Sequence, residues 1–264
     1  MNIIKVTLGF IELAFALKFF SVADLAYGWR LLDREVFLCL WIVIFGALGL
    51  YLIGKLKFQS DWEGGEMEKP MPVVCIMGGL VSIAFAIYMI PGLWGAPCKA
   101  VSAFAPPMST QDFNLYKAEV VEAKYKNYEE GMAAAKAQGK PVLIDFTGFG
   151  CVNCRKMEAA VWTDPTVSKI LEEDYVLISL FVDDKTPLAE QVKVTEENGQ
   201  QRTLRTVGDK WSYLQRSKFG ANAQPFYVII DPATGRPLCG SRAYDEDIAK
   251  YLEFLNTGLK AYNK

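Results

Sequence analysis

"DFTGFGCVNCRKME", residues 145–158, sets two cysteines two residues apart, just after the apolar run "PVLIDF" and just before a charged helical run. Four chemistries use such a pair: a redox couple, half of a metal site, a haem anchor, and a structural bridge. Composition thins the set. The 264 residues contain no histidine, which excludes Ser-His and Cys-His catalysis, His-ligated zinc, and haem with a histidine axial ligand. A c-type haem anchor needs CxxCH, and here Arg155 follows Cys154. A zinc half-site needs two more ligands, and there is no second CxxC. Structural bridges rarely join residues this close at a helix start. A redox couple is favoured over the structural bridge and the zinc half-site.

The surroundings of the pair point the same way. "YEEGMAAAKAQGK" (Tyr128 to Lys140) is helical and stops at Gly139, and "PVLIDF" is a short buried strand. "DPTVSKILEED" starts a helix with an Asp164 cap and Pro165 at the first helical position. "YVLISLFVDD" is a continuous apolar strand of the kind buried on both faces of a sheet. Residues 185–208 are polar and suit a hairpin turning at Asn198-Gly199. "KWSYLQRSKFG" is a short helix, "AQPFYVIID" a Pro-led strand, and "TGRPLCGSRAY" supplies a hairpin partner strand. Ile248, Leu252, Leu255 and Leu259 recur at helical spacing. A CxxC beside a βαβ pattern is the cue for a thioredoxin-like fold. The order predicts an α/β thioredoxin-like fold, a central mixed sheet flanked by helices, with an extra N-terminal helix and an inserted hairpin near 185–208.

The first part of the chain is different. Residues 36–54 and 72–97 hold long uncharged apolar runs, each of bilayer-spanning length. Gly78-Gly79 permits close helix contact and Trp94 suits an interfacial anchor. Residues 3–20 are apolar but contain Lys5, Glu12 and Lys18. Charges inside the apolar run argue against a signal peptide, and a spanning helix is preferred to an interfacial one. At mid-depth Glu12 is expected to face a bundle interior or polar cavity, and Lys18 to snorkel. The predicted organisation is an all-α transmembrane region over 1–97 (helices about 3–22, 36–54 and 72–93), a linker over 98–117, and the thioredoxin-like domain over 118–264. Lysines at the start and in the second connector place Met1 in the cytoplasm and the soluble half on the far side. With 28 Lys+Arg against 30 Asp+Glu, the chain offers no nucleic-acid surface.

Helical spacing puts Cys151 and Cys154 on one face, close enough for a disulfide. A helix N-terminus stabilises a thiolate on Cys151, leaving Cys154 as the more buried, resolving thiol. Glu158 lies four residues beyond Cys154, and Asp145 ends the strand feeding the helix. Burial would raise an acid's pKa and suit it to moving a proton to or from Cys154, whereas a capping or solvated carboxylate is the plainer alternative for both acids. Ala223-Gln224-Pro225-Phe226 is expected to hold a cis bond at Pro225 beside the pair. Cys39 and Cys75 are small apolar packers in membrane helices, and Cys98 and Cys239 receive no role.

The run "KPVLIDFTGFGCVNCRKMEAAVWTDPTVSKIL" resembles the last domain of the DsbD family of membrane thiol:disulfide interchange proteins, also labelled cytochrome c biogenesis proteins. The three apolar segments look like that family's last three membrane helices. The resemblance implies a bacterial inner-membrane reductase with its thioredoxin-like domain in the periplasm. Electrons would come from a membrane electron-donor domain and go to periplasmic disulfide-bearing proteins, the chain acting as the C-terminal portion of a relay. It carries Cys151 and Cys154 onto the redox pair, Asp145 and Glu158 onto two nearby acids, and Pro225 onto the cis-proline. Gly150 stands where many thioredoxins have Trp, leaving Cys151 less shielded. The disulfide itself would be the redox group, with no metal or other cofactor, and lipid would surround the helices. Two alternatives are a tethered thioredoxin reducing apocytochrome c directly and a membrane-anchored protein whose CxxC binds a soft metal such as Cu(I).

Overall fold

The computed structural model describes residues 2–58, 71–115, 121–196 and 199–263. It divides into two compact units, Met1–Asp24 with Arg30–Tyr116, and Leu25–Trp29 with Lys117–Lys264.

The first unit is helical: α1 (Asn2–Tyr27), α2 (Arg34–Leu52) and α3 (Val73–Met89). Pro91, which lacks an N–H, accompanies the change from α3 to a tighter 3-10 turn over Ile90–Trp94. Three segments, Ile3–Tyr27, Arg34–Leu52 and Val73–Trp94, are long and apolar enough to cross a membrane. Helices α2 and α3 approach at Gly49 and Gly79: a Cβ on either would lie 2.9 Å from the other's carbonyl oxygen. Ser82 Oγ also donates across this contact to Phe45 O at 2.6 Å. Gly79 is the close-contact residue of the Gly78-Gly79 pair; a Cβ on Gly78 would meet only Leu52 at 3.7 Å.

Three expectations for this unit are corrected. Glu12 is exposed on the unit's outer surface rather than turned inward, and Lys18 is buried rather than snorkelling. The expected linker is also packed structure over its described part, 98–115. Val101 and Ala105 are buried, Arg34 donates to Pro97 O and Pro106 O, and Gln111 donates to Gly92 O and Leu93 O. A proline pair reads as linker in sequence, but its carbonyls are free to accept from a buried guanidinium. Residues 116–117 of the expected linker, and 118–120 of the expected domain, lie outside the described residues.

In the second unit β1 (Val142–Thr147) is the centre of a three-stranded sheet, parallel to β2 (Val176–Phe181) and antiparallel to β5 (Phe226–Ile230). Helices α4 (Tyr128–Gln138), α5 (Val152–Ala160), α6 (Pro165–Glu173), α7 (Val207–Phe219) and α8 (Ile248–Tyr262) flank it. Alternation along β1 sends Val142, Ile144 and Phe146 to one apolar cluster with Trp211 of α7. Leu143 goes to the other, with Met157 of α5, Leu171 of α6 and Leu255 of α8. Asp145 follows Leu143 by two residues, so the same alternation turns it to the α5 side.

The Asp164 cap stands as expected, whereas α7 starts at Val207, three residues before the expected Lys210. Asn127 caps α4, Asp164 caps α6 ahead of Pro165, and Thr206 with Asp209 forms a capping box on α7. The insertion forms β3 (Pro187–Thr195) and β4 (Gln201–Thr206), an antiparallel pair. Asn198 of the expected turn lies outside the described residues. The strand expected after β5 shrinks to isolated bridges, Ile230 with Pro237 and Tyr227 with Arg242. Pro237 cannot donate to a ladder, and regular pairing is not sustained past it.

Candidate active site

Cys151 is the N-cap of α5, with a non-helical backbone. Its Sγ accepts from Cys154 N at 3.1 Å, and the two cysteines form a disulfide with Cα atoms 5.3 Å apart. Cys154, one turn in, is fully buried, whereas Cys151 is partly exposed. Only one sulfur of the pair is therefore open to a partner.

The loop before Cys151 is fixed from an adjoining strand end. Asp183 accepts from Phe149 N at 2.9 Å and Gly150 N at 3.0 Å, using both carboxylate oxygens. The Phe149 ring stacks on Phe181 with centroids 4.2 Å apart. Cys151, Val152, Asn153, Val182, Asp183 and Gln224 line an open groove of about 430 Å³. Gln224–Pro225 is a cis peptide bond, and Pro225 is buried. The fully buried Gln215 of α7 holds this corner, donating to Ala223 O at 2.8 Å and accepting from Gln224 Nε2 at 3.1 Å.

Beneath α5 sits an enclosed charge cluster. Asp145 is 2% exposed, and its Oδ2 accepts from Ser179 Oγ at 3.0 Å, while Oδ1 is buried with no hydrogen-bond partner among the described residues. Parallel register places Ser179 directly beside Asp145, and antiparallel register places Tyr227 on its other side. Burial, reinforced by the Glu158 charge, pushes the Asp145 carboxyl up to about 7, against the smaller opposing effects of Ser179 and Arg155. The same enclosure raises the hydroxyls of Tyr227 and Tyr251, burial first and the Asp145 charge second. Glu158 is partly exposed and pairs with Arg155, Nη2 to Oε1 at 2.8 Å. Arg155 is only 4% exposed and also donates to Thr147 Oγ1 at 3.1 Å. Met157, the sulfur nearest the pair in sequence, packs in the apolar cluster with Leu143 and Val161.

The structure thus gathers Cys151, Cys154, Asp145 and Glu158 around one helix, with Pro225 next to groove-lining Gln224. Sequence reasoning missed Arg155, Ser179, Asp183 and Gln215. Arg155 had a signal, since it stands three residues before Glu158 on a helix. Ser179 was the lone polar residue within an apolar strand. Asp183 is joined to the loop before Cys151 by strand order, and Gln215 to the cis-proline corner across the turn that follows its helix.

Residues 123–232 match the family described as thioredoxin-like. The DsbD thiol:disulfide interchange protein of Pseudoalteromonas atlantica is 29% identical over 167 residues, covering 63% of this chain and 24% of that protein. DsbD 1 of Pseudomonas aeruginosa is 28% identical over 179 residues, covering 64% and 28%. A thioredoxin from Thermus thermophilus, solved in solution, superposes with a TM-score of 0.37 at 24% identity, covering 52% of this chain and 86% of the thioredoxin. The chain spans about a quarter of the length of the curated relatives it matches. Its second unit matches the thioredoxin-like family over residues 123–232, and the chain is similar over about two thirds of its length to DsbD thiol:disulfide interchange proteins.

Proposed function

We propose that this chain is a membrane-tethered thiol:disulfide oxidoreductase working as a reductase, with its thioredoxin-like domain on the periplasmic side of a bacterial inner membrane. It takes electrons from a membrane donor domain and passes them to periplasmic disulfide-bearing proteins, as the C-terminal portion of a longer relay. The observation that carries the reading is the asymmetric pair: Cys151 partly exposed at a helix N-terminus, Cys154 fully buried one turn into the same helix.

The chemistry follows from that asymmetry. In the reduced form the Cys151 thiolate, favoured by the positive end of α5, attacks a sulfur of the partner's disulfide. The partner's first sulfur leaves as a thiolate, and a mixed disulfide remains. Ionised Asp145 then accepts the proton of the Cys154 thiol, and the new thiolate attacks Cys151 Sγ. The mixed disulfide breaks, Cys151–Cys154 re-forms, and the partner's second sulfur leaves. Two electrons pass to the partner; its first leaving thiolate takes a proton from solvent, and its second takes the proton that Asp145 received from Cys154. The cis-proline corner and the groove supply a wall for an extended segment of that partner.

A Cys154→Ser variant in intact cells is the test. It should accumulate a mixed disulfide that Cys151→Ser does not form. A membrane-impermeant reductant, added after permeabilising only the outer membrane, should cleave it. Trapping through Cys154 instead, or an adduct shielded from that reductant, would overturn the assignment of the thiol or of the compartment. A reduction potential near the thioredoxin value, roughly −270 mV, fits a reductase, and one near about −120 mV an oxidant.

A further inference from the structure

Resting on that reading, we propose that Arg155 is a positioning residue for the exchange reaction: from within the disulfide's helix it clamps Glu158 and offsets that carboxylate's charge, so that Asp145 can take and return the Cys154 proton. The geometry that carries this is a guanidinium in an unusual place. Arg155 is 4% exposed, on the first turns of a helix whose cap is the attacking cysteine. Surface arginines beside a glutamate are ordinary and contribute little. This one is buried, and its Nε has no partner among the described residues. A buried charge left partly unsatisfied is an expense that a purely structural pair would shed, since apolar residues of similar volume fill such space at least as well.

Its two polar contacts define what it does. Through Nη2 it holds Glu158 Oε1 at 2.8 Å and Thr147 Oγ1 at 3.1 Å. Thr147 is the last residue of β1, two beyond Asp145, so the guanidinium ties the helix carboxylate to the strand that carries the buried acid. The groups bearing on Asp145 are few. They are Ser179 from β2, Tyr227 from β5, Tyr251 from α8, and Glu158 and Arg155 from α5. Arg155 is the one cation among them. Glu158 holds the Asp145 proton on and Arg155 pulls it off.

Opposite signs make the test sharp. The full chain in detergent, reduced and mixed with a small chromogenic disulfide, gives the pH profile of Cys154 resolution; a carboxyl carbon NMR titration follows Asp145 directly. In Arg155→Met both inflections should move to higher pH by about one unit, which slows resolution near neutrality by up to about tenfold. Arg155→Lys, which restores the charge, should return most of the shift. Glu158→Gln, which removes the opposing charge while keeping the size, should move both inflections the other way. A structural strut would lower stability in all of these and move neither inflection, and that result overturns the proposal. Should Arg155→Met not fold, Glu158→Gln decides by its sign. No exchange in any protein, wild type included, would overturn the proposed function and this inference with it. Exchange with unmoved profiles would overturn the inference alone.

Discussion

Asp145 shows how one residue's chemistry is set by what surrounds it. An aspartate on a strand is ordinarily ionised above about pH 4. Here burial beside Glu158 keeps the proton on until about 7. The consequence for stability has a definite sign. Between about pH 4 and 7 the unfolded chain has lost this proton while the folded chain retains it, so the group's contribution to stability falls as pH rises and levels off above about 7. Asp145→Asn should remove that slope. Urea unfolding in detergent is expected to find the variant gaining on wild type up to about pH 8, by on the order of 3 kcal/mol. Its exchange rate should lose the inflection near neutrality. An equal stability slope in both proteins would assign the pH dependence to other groups. Sequence alone placed this acid at the end of an apolar strand; the strand runs on to Thr147, so Asp145 lies within it. Its partner Ser179 was invisible, because that contact comes from the register between two strands 34 residues apart.

At the scale of elements, the ends were legible and the joints were not. The Asp164 cap acts within three residues, so local sequence contains both halves of the interaction. The joint between the inserted hairpin and the site depends on Gly208, in the first turn of α7. A Cβ there would lie 2.6 Å from Val182 O, 2.7 Å from Asp184 O and 2.8 Å from Asp184 N, all backbone atoms that cannot swing away. Those two residues bracket Asp183, whose carboxylate holds the loop before Cys151. Gly208→Ala should therefore destabilise the domain by about 1–3 kcal/mol and also slow attack by Cys151. Thermal unfolding and exchange rates measured together check the coupling; lost stability with an unaltered rate would separate the hairpin joint from the site.

Across the whole molecule, two units hold separate apolar cores, one among the helices α1–α3 and one on either side of the sheet. The helical core depends on the Gly49–Gly79 approach, where a side chain on Gly79 would meet Ile53 Cγ2 at 2.7 Å as well as backbone. Gly79→Val should lower the melting of helical signal in detergent, by about 1–3 kcal/mol, and leave exchange with a small disulfide unchanged. A parallel fall in exchange would show that the units share stability. By itself the sequence determined the three membrane-length helices, the α/β class of the second unit, and the pairing of Cys151 with Cys154 at a helix start. Each of these is written in composition, periodicity or spacing over a few turns. Tertiary structure alone decided that residues 98–115 pack on the helices, that Glu12 faces outward, and that Arg155, Ser179, Asp183 and Gln215 belong with the site. The reason is physical: a buried charge or a carbonyl chooses its partner by proximity in space, and strand order brings together residues that no local pattern connects.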